Sequence, residues 1–336
     1  GMDIRREIEE REEMILSTYA SLAKDTKGRK YEEDKCPMRT DYQRDRDRIL
    51  HSKAFRRLKH KTQVYISPTS DHYRTRLTHT LEVSQIARTL ARALRLNEDL
   101  VEAIALGHDL GHTPFGHIGE EALDKLSSHG FRHNIQSLRL VEDLEVHSGR
   151  KGLNLTREVR DGIRNHTGPD LPKTLEGMVV RLSDRIAYIN HDIDDSIRAK
   201  LIREEDLPER TKEVLGRSHG ERINTLIMDI IENSKDKDRV FQSLRVKEAA
   251  NELRDFMFER VYFDDRVKEE ADKAAYIIKE LFDYYMDRPE ILLSQGLIGV
   301  DEDIERGVCD YLAGMTDRYI MFVYTDIFMP KSWSIM

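Results

Sequence analysis

The chain has 336 residues, a net charge of −8, 35% charged side chains and only 7% aromatics, with a mean hydropathy of −0.63. Rich in helix formers and poor in proline, it reads as a helix-rich protein with one large core or two modest ones. The composition excludes a membrane span, which needs roughly 18–20 consecutive apolar residues, and the negative net charge argues against general nucleic-acid binding.

From the N-terminus, Gly1 ahead of Met2 reads as a remnant of tag cleavage, and charge from Arg5 onward excludes a signal peptide. Cys36 and Cys309 lack metal-site spacing, so a reduced, cytoplasmic setting is expected. The apolar period predicts a charged amphipathic helix over 3–24, a polar loop over 25–43, and a helix over about 45–60 with Ile49, Leu50, Phe55 and Leu58 inward. Residues 61–75 read as loop with room for one short strand. Between residues 39 and 76, eleven Lys and Arg face four Asp. Such a local excess on an acidic chain points to a polyanion nearby. The bland alternative is a solvated face of Asp-Arg pairs, as Asp45-Arg46-Asp47-Arg48 would make.

The next helix, about 76–95, sets His79, Val83, Ile86 and Leu90 on one inward face. Asn97 caps a helix that carries Glu98 and Asp99 in its first turn, reaches His108 and ends at Gly111. Helices are predicted over 117–127, 132–147, 156–165 and 176–196. Residues 199–219 read as loop with a short helix. Helices follow at about 220–233, 240–262, 265–286, 289–295, 301–313 and 316–328. The expected organisation is an N-terminal helix and loop (1–43), a core (44–196) and a C-terminal helical region packed on it (197–336).

The chemistry concentrates in His108-Asp109-Leu110-Gly111-His112-Thr113-Pro114-Phe115-Gly116-His117, followed by Glu120. With His79 upstream and Asp184 downstream, the pattern H…HD…D supplies imidazole and carboxylate donors for one divalent ion. Without cysteine, this set suits Mg, Mn, Fe, Co, Ni or Zn. A lone inward histidine is more often a satisfied core residue; it is the combination that favours ligation. His112 and His117 exceed one ion's needs and are candidates for proton transfer. Glu120 lies three residues after His117 on one helical face and would hold it charged, or it compensates a helix dipole. His133 is a further candidate for the site; His129 and His147 read as surface. In Leu182–Asp192, Asp184, Tyr188 and Asp192 recur at i, i+4 and i+8, with Arg185 alongside, as one wall of a pocket.

These residues carry a resemblance to the HD-domain superfamily, and more closely to the bacterial dGTP/dNTP triphosphohydrolases (the dGTPase-like group). The matching stretches are Arg44–Tyr65 with its Phe-Arg-Arg-Leu and Lys-Thr-Gln-Val blocks, Arg74–Val83, Gly107–His117 and Asp184–Asp192. The match is close over residues 40–195 and loose over 240–330. The resemblance implies an all-α HD-domain core with a C-terminal helical extension. It also implies hydrolysis of a deoxynucleoside triphosphate to deoxynucleoside and inorganic triphosphate, by metal-activated water attack at the α-phosphate.

By the same resemblance His79, His108, Asp109 and Asp184 bind one divalent ion, Mg or Mn ahead of Ni, Co, Fe or Zn. His112 lies beside the attacking water, and His117 with Glu120 serves the departing 5′ oxygen; which histidine is the general acid stays open. Arg76 and Arg185 match phosphate contacts and His133 a pocket histidine. Gln63 and Asp192 match readers of the 3′-hydroxyl, and Tyr188 packs at the sugar. Arg254 has the spacing of a further phosphate arginine, and Tyr262 that of a residue excluding a 2′-hydroxyl. Implied partners are the dNTP substrate, a regulatory dNTP and further copies of the chain, with no membrane. The alternatives are another HD-type nucleotide phosphohydrolase or phosphodiesterase, or a nucleotide-sensing or single-strand nucleic-acid-binding module with residual activity.

Overall fold

The apolar run that follows Asn97 lies at the centre of the molecule. The computed structural model describes residues 1–62, 74–300 and 302–332, and among these the architecture is all-α, with sixteen helices and one small hairpin. In chain order the first eight helices are α1 Ile4–Ile15, α2 Asp41–Leu50, α3 Lys53–Arg57, α4 Arg76–Leu94, α5 Glu98–Gly107, α6 Gly116–Leu126, α7 His133–Arg139 and α8 Arg157–Arg164. The remaining eight are α9 Leu175–Arg198, α10 Glu209–Leu215, α11 His219–Ser234, α12 Leu244–Met257, α13 Asp265–Asp287, α14 Pro289–Ser294, α15 Ile304–Ala313 and α16 Asp317–Phe328. No described helix is long and apolar enough to cross a membrane.

Asn97 accepts a hydrogen bond from Leu100 N and starts α5, whose Leu100, Val101, Ala103, Ile104 and Leu106 are all buried. A helix buried on every side needs partners all round; α2, α4, α8 and α9 surround it. Thr75 caps α4 by accepting from Thr78 N, and Arg95 in a left-handed conformation (φ 55°) ends it. Thr174 caps the 24-residue α9 by accepting from Gly177 N. One apolar cluster runs through α2, α4, α5, α8, α9, α11 and α12 as far as Val261. A second gathers Phe115, Leu123 and Phe131 with residues of α13 to α16.

Several predicted helices are shorter than expected: α5 ends at Gly107 rather than at Gly111, and three others stop for a local reason. The 3–24 helix stops at Ile15 because the Glu12 carboxylate accepts from Ala23 N and folds the chain back. The 45–60 helix begins earlier, at a Thr40–Gln43 capping box, and breaks where Ser52 caps a separate turn. The 132–147 helix ends at Arg139, widens into a π turn over Leu140–Leu144, and gives way to a hairpin, β1 Val146–His147 with β2 Arg150–Lys151. Ser148 and Gly149 both have positive φ (51° and 73°), the conformation a tight two-residue hairpin turn demands.

Buried polar bonds fasten the N-terminal segment to this frame. Asp45 on α2 is fully buried and accepts from Thr156 N (2.9 Å) and Oγ1 (2.6 Å) while pairing with Arg29. Removing one partner of a buried pair leaves the other uncompensated. Asp45→Ala should therefore lower stability by about 3–5 kcal/mol, read as a fall in denaturant midpoint at unchanged slope; an unchanged midpoint would show the pair to be idle.

Candidate metal centre and adjoining cleft

Three helices deliver the H…HD…D residues to one point. The inward face of α4 carries His79, the chain leaving α5 carries His108 and Asp109, and α9 carries Asp184. His79 Nε2 lies 2.8 Å from Asp184 Oδ1 and 3.9 Å from Asp109 Oδ2; His108 Nε2 lies 3.3 Å and 3.4 Å from the same two oxygens. The first three residues are buried, and the Asp184 side chain is about one-fifth exposed. His108 Nδ1 donates to Ala105 O at 2.6 Å, so it is Nε2, a buried atom without a well-formed hydrogen bond among the described residues, that is free to ligate once unprotonated. Two imidazole nitrogens, one of them without a hydrogen-bond partner among the described residues, converge with two carboxylate oxygens and fit a divalent ion with N and O ligands. Arg76 at the start of α4 sets Nη1 3.1 Å from Asp109 Oδ2.

The segment after Asp109 is held by close packing and by the far end of the chain. A Cβ on Gly111 would fall 2.3 Å from Ser137 N, so only glycine allows this approach to α7. Gly111 N donates to Ser137 Oγ (2.8 Å), Phe115 N to Asp317 Oδ1 (2.9 Å), and the buried Lys61 Nζ to His112 O (2.6 Å) and Ala313 O (3.3 Å). His112 is fully buried, neither ring nitrogen has a hydrogen bond among the described residues, and the ring stacks on His133 with centroids 4.5 Å apart. Burial and the Arg76 charge push its pKa well down, so it is neutral.

Glu120 is shared. It accepts from His133 N (2.6 Å) and from His133 Nδ1 (2.5 Å), and stands 3.6 Å from His117 Nδ1. The expected partner, His117, is therefore the more distant of two. Burial raises the Glu120 carboxyl, but His117 and His133 outweigh it and hold it well below the usual range. His133 is lifted by Glu120 against the pull of burial.

Alongside these residues runs a cleft of about 570 Å³. Arg76, Asp109, His112, His117, His133 and Asp184 line the end at the metal centre. Arg185 on α9 and Arg254 on α12 form one wall, and neither has an ion pair among the described residues. Burial and the neighbouring Arg254 lower the Arg185 pKa. Tyr188 and Asp192 line the cleft one and two turns beyond Asp184, with Tyr262 from a π turn over Phe258–Tyr262. The Tyr188 hydroxyl and Asp192 Oδ1 are buried without partners among the described residues. Burial and Asp195 raise the Asp192 carboxyl well above its usual value, and burial with Asp192 pushes Tyr262 up to about 12. Gln63 lies outside the described residues.

Sequence reasoning missed three buried or contacting residues here. His166, just past α8, sets Nε2 3.1 Å from His133 Nε2 while Nδ1 donates to Ile163 O (2.7 Å). Burial and the His108 and His133 charges press it down to about 3. His191 faces His79, and Glu82 contacts His191. The signal for these two was present: Glu82 follows His79 by three residues and His191 follows Asp184 by seven, each on its partner's helical face. For His166 the only sign was a polar residue closing an amphipathic helix.

Comparison with known proteins identifies the family. Residues 76–189 match the HD domain, and residues 240–326 match the phosphohydrolase-associated domain. A protein of Caldanaerobacter subterraneus subsp. tengcongensis is 56% identical over 99% of this chain and 98% of its own length. One of Clostridium tetani is 48% identical over 98% and 97%, and one of Bordetella pertussis 40% over 93% and 96%. All three are named deoxyguanosinetriphosphate triphosphohydrolase-like proteins. A crystal structure of a hypothetical protein from Aquifex aeolicus aligns with 85% of this chain and 68% of that one, at 19% identity and a TM-score of 0.47.

The centre makes a prediction for metal binding. Burial pulls the His108 imidazole down, yet Asp109 and Asp184 outweigh it and lift the group to about 9 in the metal-free protein. Below that value His108 carries a proton that must leave before Nε2 can ligate. Metal affinity should therefore rise about tenfold per pH unit between pH 6 and 8, with about one proton released per ion. Titration calorimetry in buffers of different ionisation enthalpy measures this; an affinity flat across that range would refute the assignment.

Proposed function

The chain belongs to the HD-domain family of deoxyguanosinetriphosphate triphosphohydrolase-like proteins, and from that premise we propose that it hydrolyses deoxynucleoside triphosphates to deoxynucleoside and inorganic triphosphate. The observation that carries this reading is the asymmetry of the cleft. A cluster of metal-type donors lies beside two guanidiniums that have no ion pair among the described residues, and next to them lie a buried tyrosine hydroxyl and a carboxyl held neutral. A ligand with a polyanionic tail and an uncharged hydroxylated head matches both parts.

In this reading His79, His108, Asp109 and Asp184 hold one divalent ion, with Mg or Mn preferred. When bound, such an ion polarises a phosphoryl oxygen and lowers the pKa of water. Arg76 braces Asp109 at 3.1 Å and presents its charge to the cleft. Arg185 and Arg254 neutralise the outer phosphates, where fixed charges in a shielded site act strongly. His112, buried and neutral, accepts a proton beside the α-phosphate. His117, partly exposed and within reach of Glu120, donates one to the departing 5′ oxygen. His133, whose pKa Glu120 raises against burial, adds a hydrogen-bond donor at the same phosphate. Tyr188 packs at the sugar, the neutral Asp192 exchanges hydrogen bonds with the 3′-hydroxyl, and Tyr262 fills the space a 2′-hydroxyl would need. Gln63 completes the sugar contacts.

Two measurements test this. Incubation with each dNTP and Mg, Mn, Co or Ni should release inorganic triphosphate, resolved by phosphorus NMR or ion chromatography; pyrophosphate or single phosphate as the first product, or no turnover with any metal, would sink the reading. Arg185→Ala and Arg254→Ala should each lower kcat/KM by about 10–100-fold, the worth of a charge-assisted phosphate contact. His117→Ala should lower kcat by about 10²–10⁴-fold. Wild-type kinetics in the arginine variants would remove them from the phosphate site.

A further inference from the structure

The geometry points to Glu82 and His191 as positioning residues that fix the ring proton of His79 on Nδ1 and so leave its Nε2 free to ligate the metal. This rests on the reading of His79 as a metal ligand.

His79 stands between two partners. Its Nε2 is 2.8 Å from Asp184 Oδ1 inside the metal cluster, and its Nδ1 is 3.2 Å from His191 Nδ1. The other nitrogen of His191, Nε2, contacts Glu82 Oε2. His79 and His191 are buried, as is Glu82 Oε2 itself. Arg74 Nε lies 3.3 Å from that oxygen and keeps the carboxylate in place. Neither Glu82 nor His191 lines the cleft.

Two imidazole nitrogens facing each other at this distance share one proton, because two lone pairs repel and two N–H groups clash. For two neutral rings that leaves two arrangements. In the first, His79 Nδ1–H donates to His191 Nδ1, His191 Nε2–H donates to Glu82, and His79 Nε2 offers its lone pair to the metal. In the second, His191 Nδ1–H donates to His79. The His191 Nε2 lone pair then presses on a carboxylate oxygen, two acceptors in contact, and His79 bears a proton where the metal belongs. An ionised carboxylate can only accept, so once a cation satisfies Asp184, Glu82 selects the first arrangement from two rings away. Outer partners that set tautomer and orientation in this way are typical of metal-bound histidines. Here α4 supplies His79 and Glu82 and α9 supplies Asp184 and His191, so the helix pair that brings the ligands together brings their support as well.

Glu82→Gln replaces an obligate acceptor by a group that can also donate, which permits the second arrangement at nearly unchanged shape. Its affinity for Mn(II) and Zn(II), measured by chelator competition, should fall about 10–100-fold, while the metal-free melting temperature stays near that of wild type. His108→Ala serves as the control and should lose the ion. Tight binding in Glu82→Gln with loss in His108→Ala would overturn the inference and leave the metal centre standing; wild-type affinity in both would overturn the metal centre as well. A readout independent of any variant comes from nitrogen-15 histidine NMR of the metal-free and Zn(II)-loaded wild type. With Zn(II) bound, His191 should be protonated on Nε2 and bare on Nδ1; a proton on Nδ1 overturns the proposal even if Glu82→Gln fails to fold.

Discussion

Asp109 and Asp184 place two carboxylates against the same pair of imidazoles, Asp109 fully buried and Asp184 only slightly open to solvent. Two negative charges this close need compensation, and most of the surrounding structure supplies it. Arg76 is held against Asp109, His108 takes up a proton well above neutral pH, and the remaining donors are arranged as ligands for a cation. Such an arrangement requires α4, α5 and α9 to meet at one level. It also requires α5 to end at Gly107, so that His108 and Asp109 leave the helix pointing toward the other two.

Around this point the titratable groups are sorted by environment. Burial and neighbouring positive charges push the His112 and His166 pKa values down, whereas Glu120, bonded to the ring Nδ1, raises that of His133 against burial. Rings of lowered and raised proton affinity therefore lie side by side, which is how a single site presents both proton acceptors and proton donors. The cleft extends the same division, with guanidiniums that have no ion pair among the described residues beside uncharged polar groups. The C-terminal part reaches this site too: Asp317 holds Phe115 N, and Lys61 joins the backbone at His112 to that at Ala313.

Much of the fold was legible because helical period, caps and burial agree locally. Asn97 before an apolar run and Thr75 before an amphipathic one are start signals that tertiary packing had no reason to override. The failures share a different cause. The helix expected over 3–24 ended where Glu12 found a backbone partner eleven residues on, and the one over 132–147 ended where Ser148 and Gly149 turned a hairpin. In both places a side chain or a turn offered the backbone an alternative that apolar period does not register.

By itself the sequence determined the residue types of the site and which of them share a face. His79 falls on the buried stripe of its helix, and Asp184, Tyr188 and Asp192 repeat on one side of theirs, because side-chain direction within a helix depends only on spacing. Tertiary structure alone decided what those faces meet. Glu120 turned mainly to His133 rather than His117, His166 arrived from another helix end, and His191 met His79 across the α4–α9 contact. Contacts between helices depend on crossing geometry and on close approaches such as Gly111 against Ser137. Those are properties of the packed core, which no local pattern encodes.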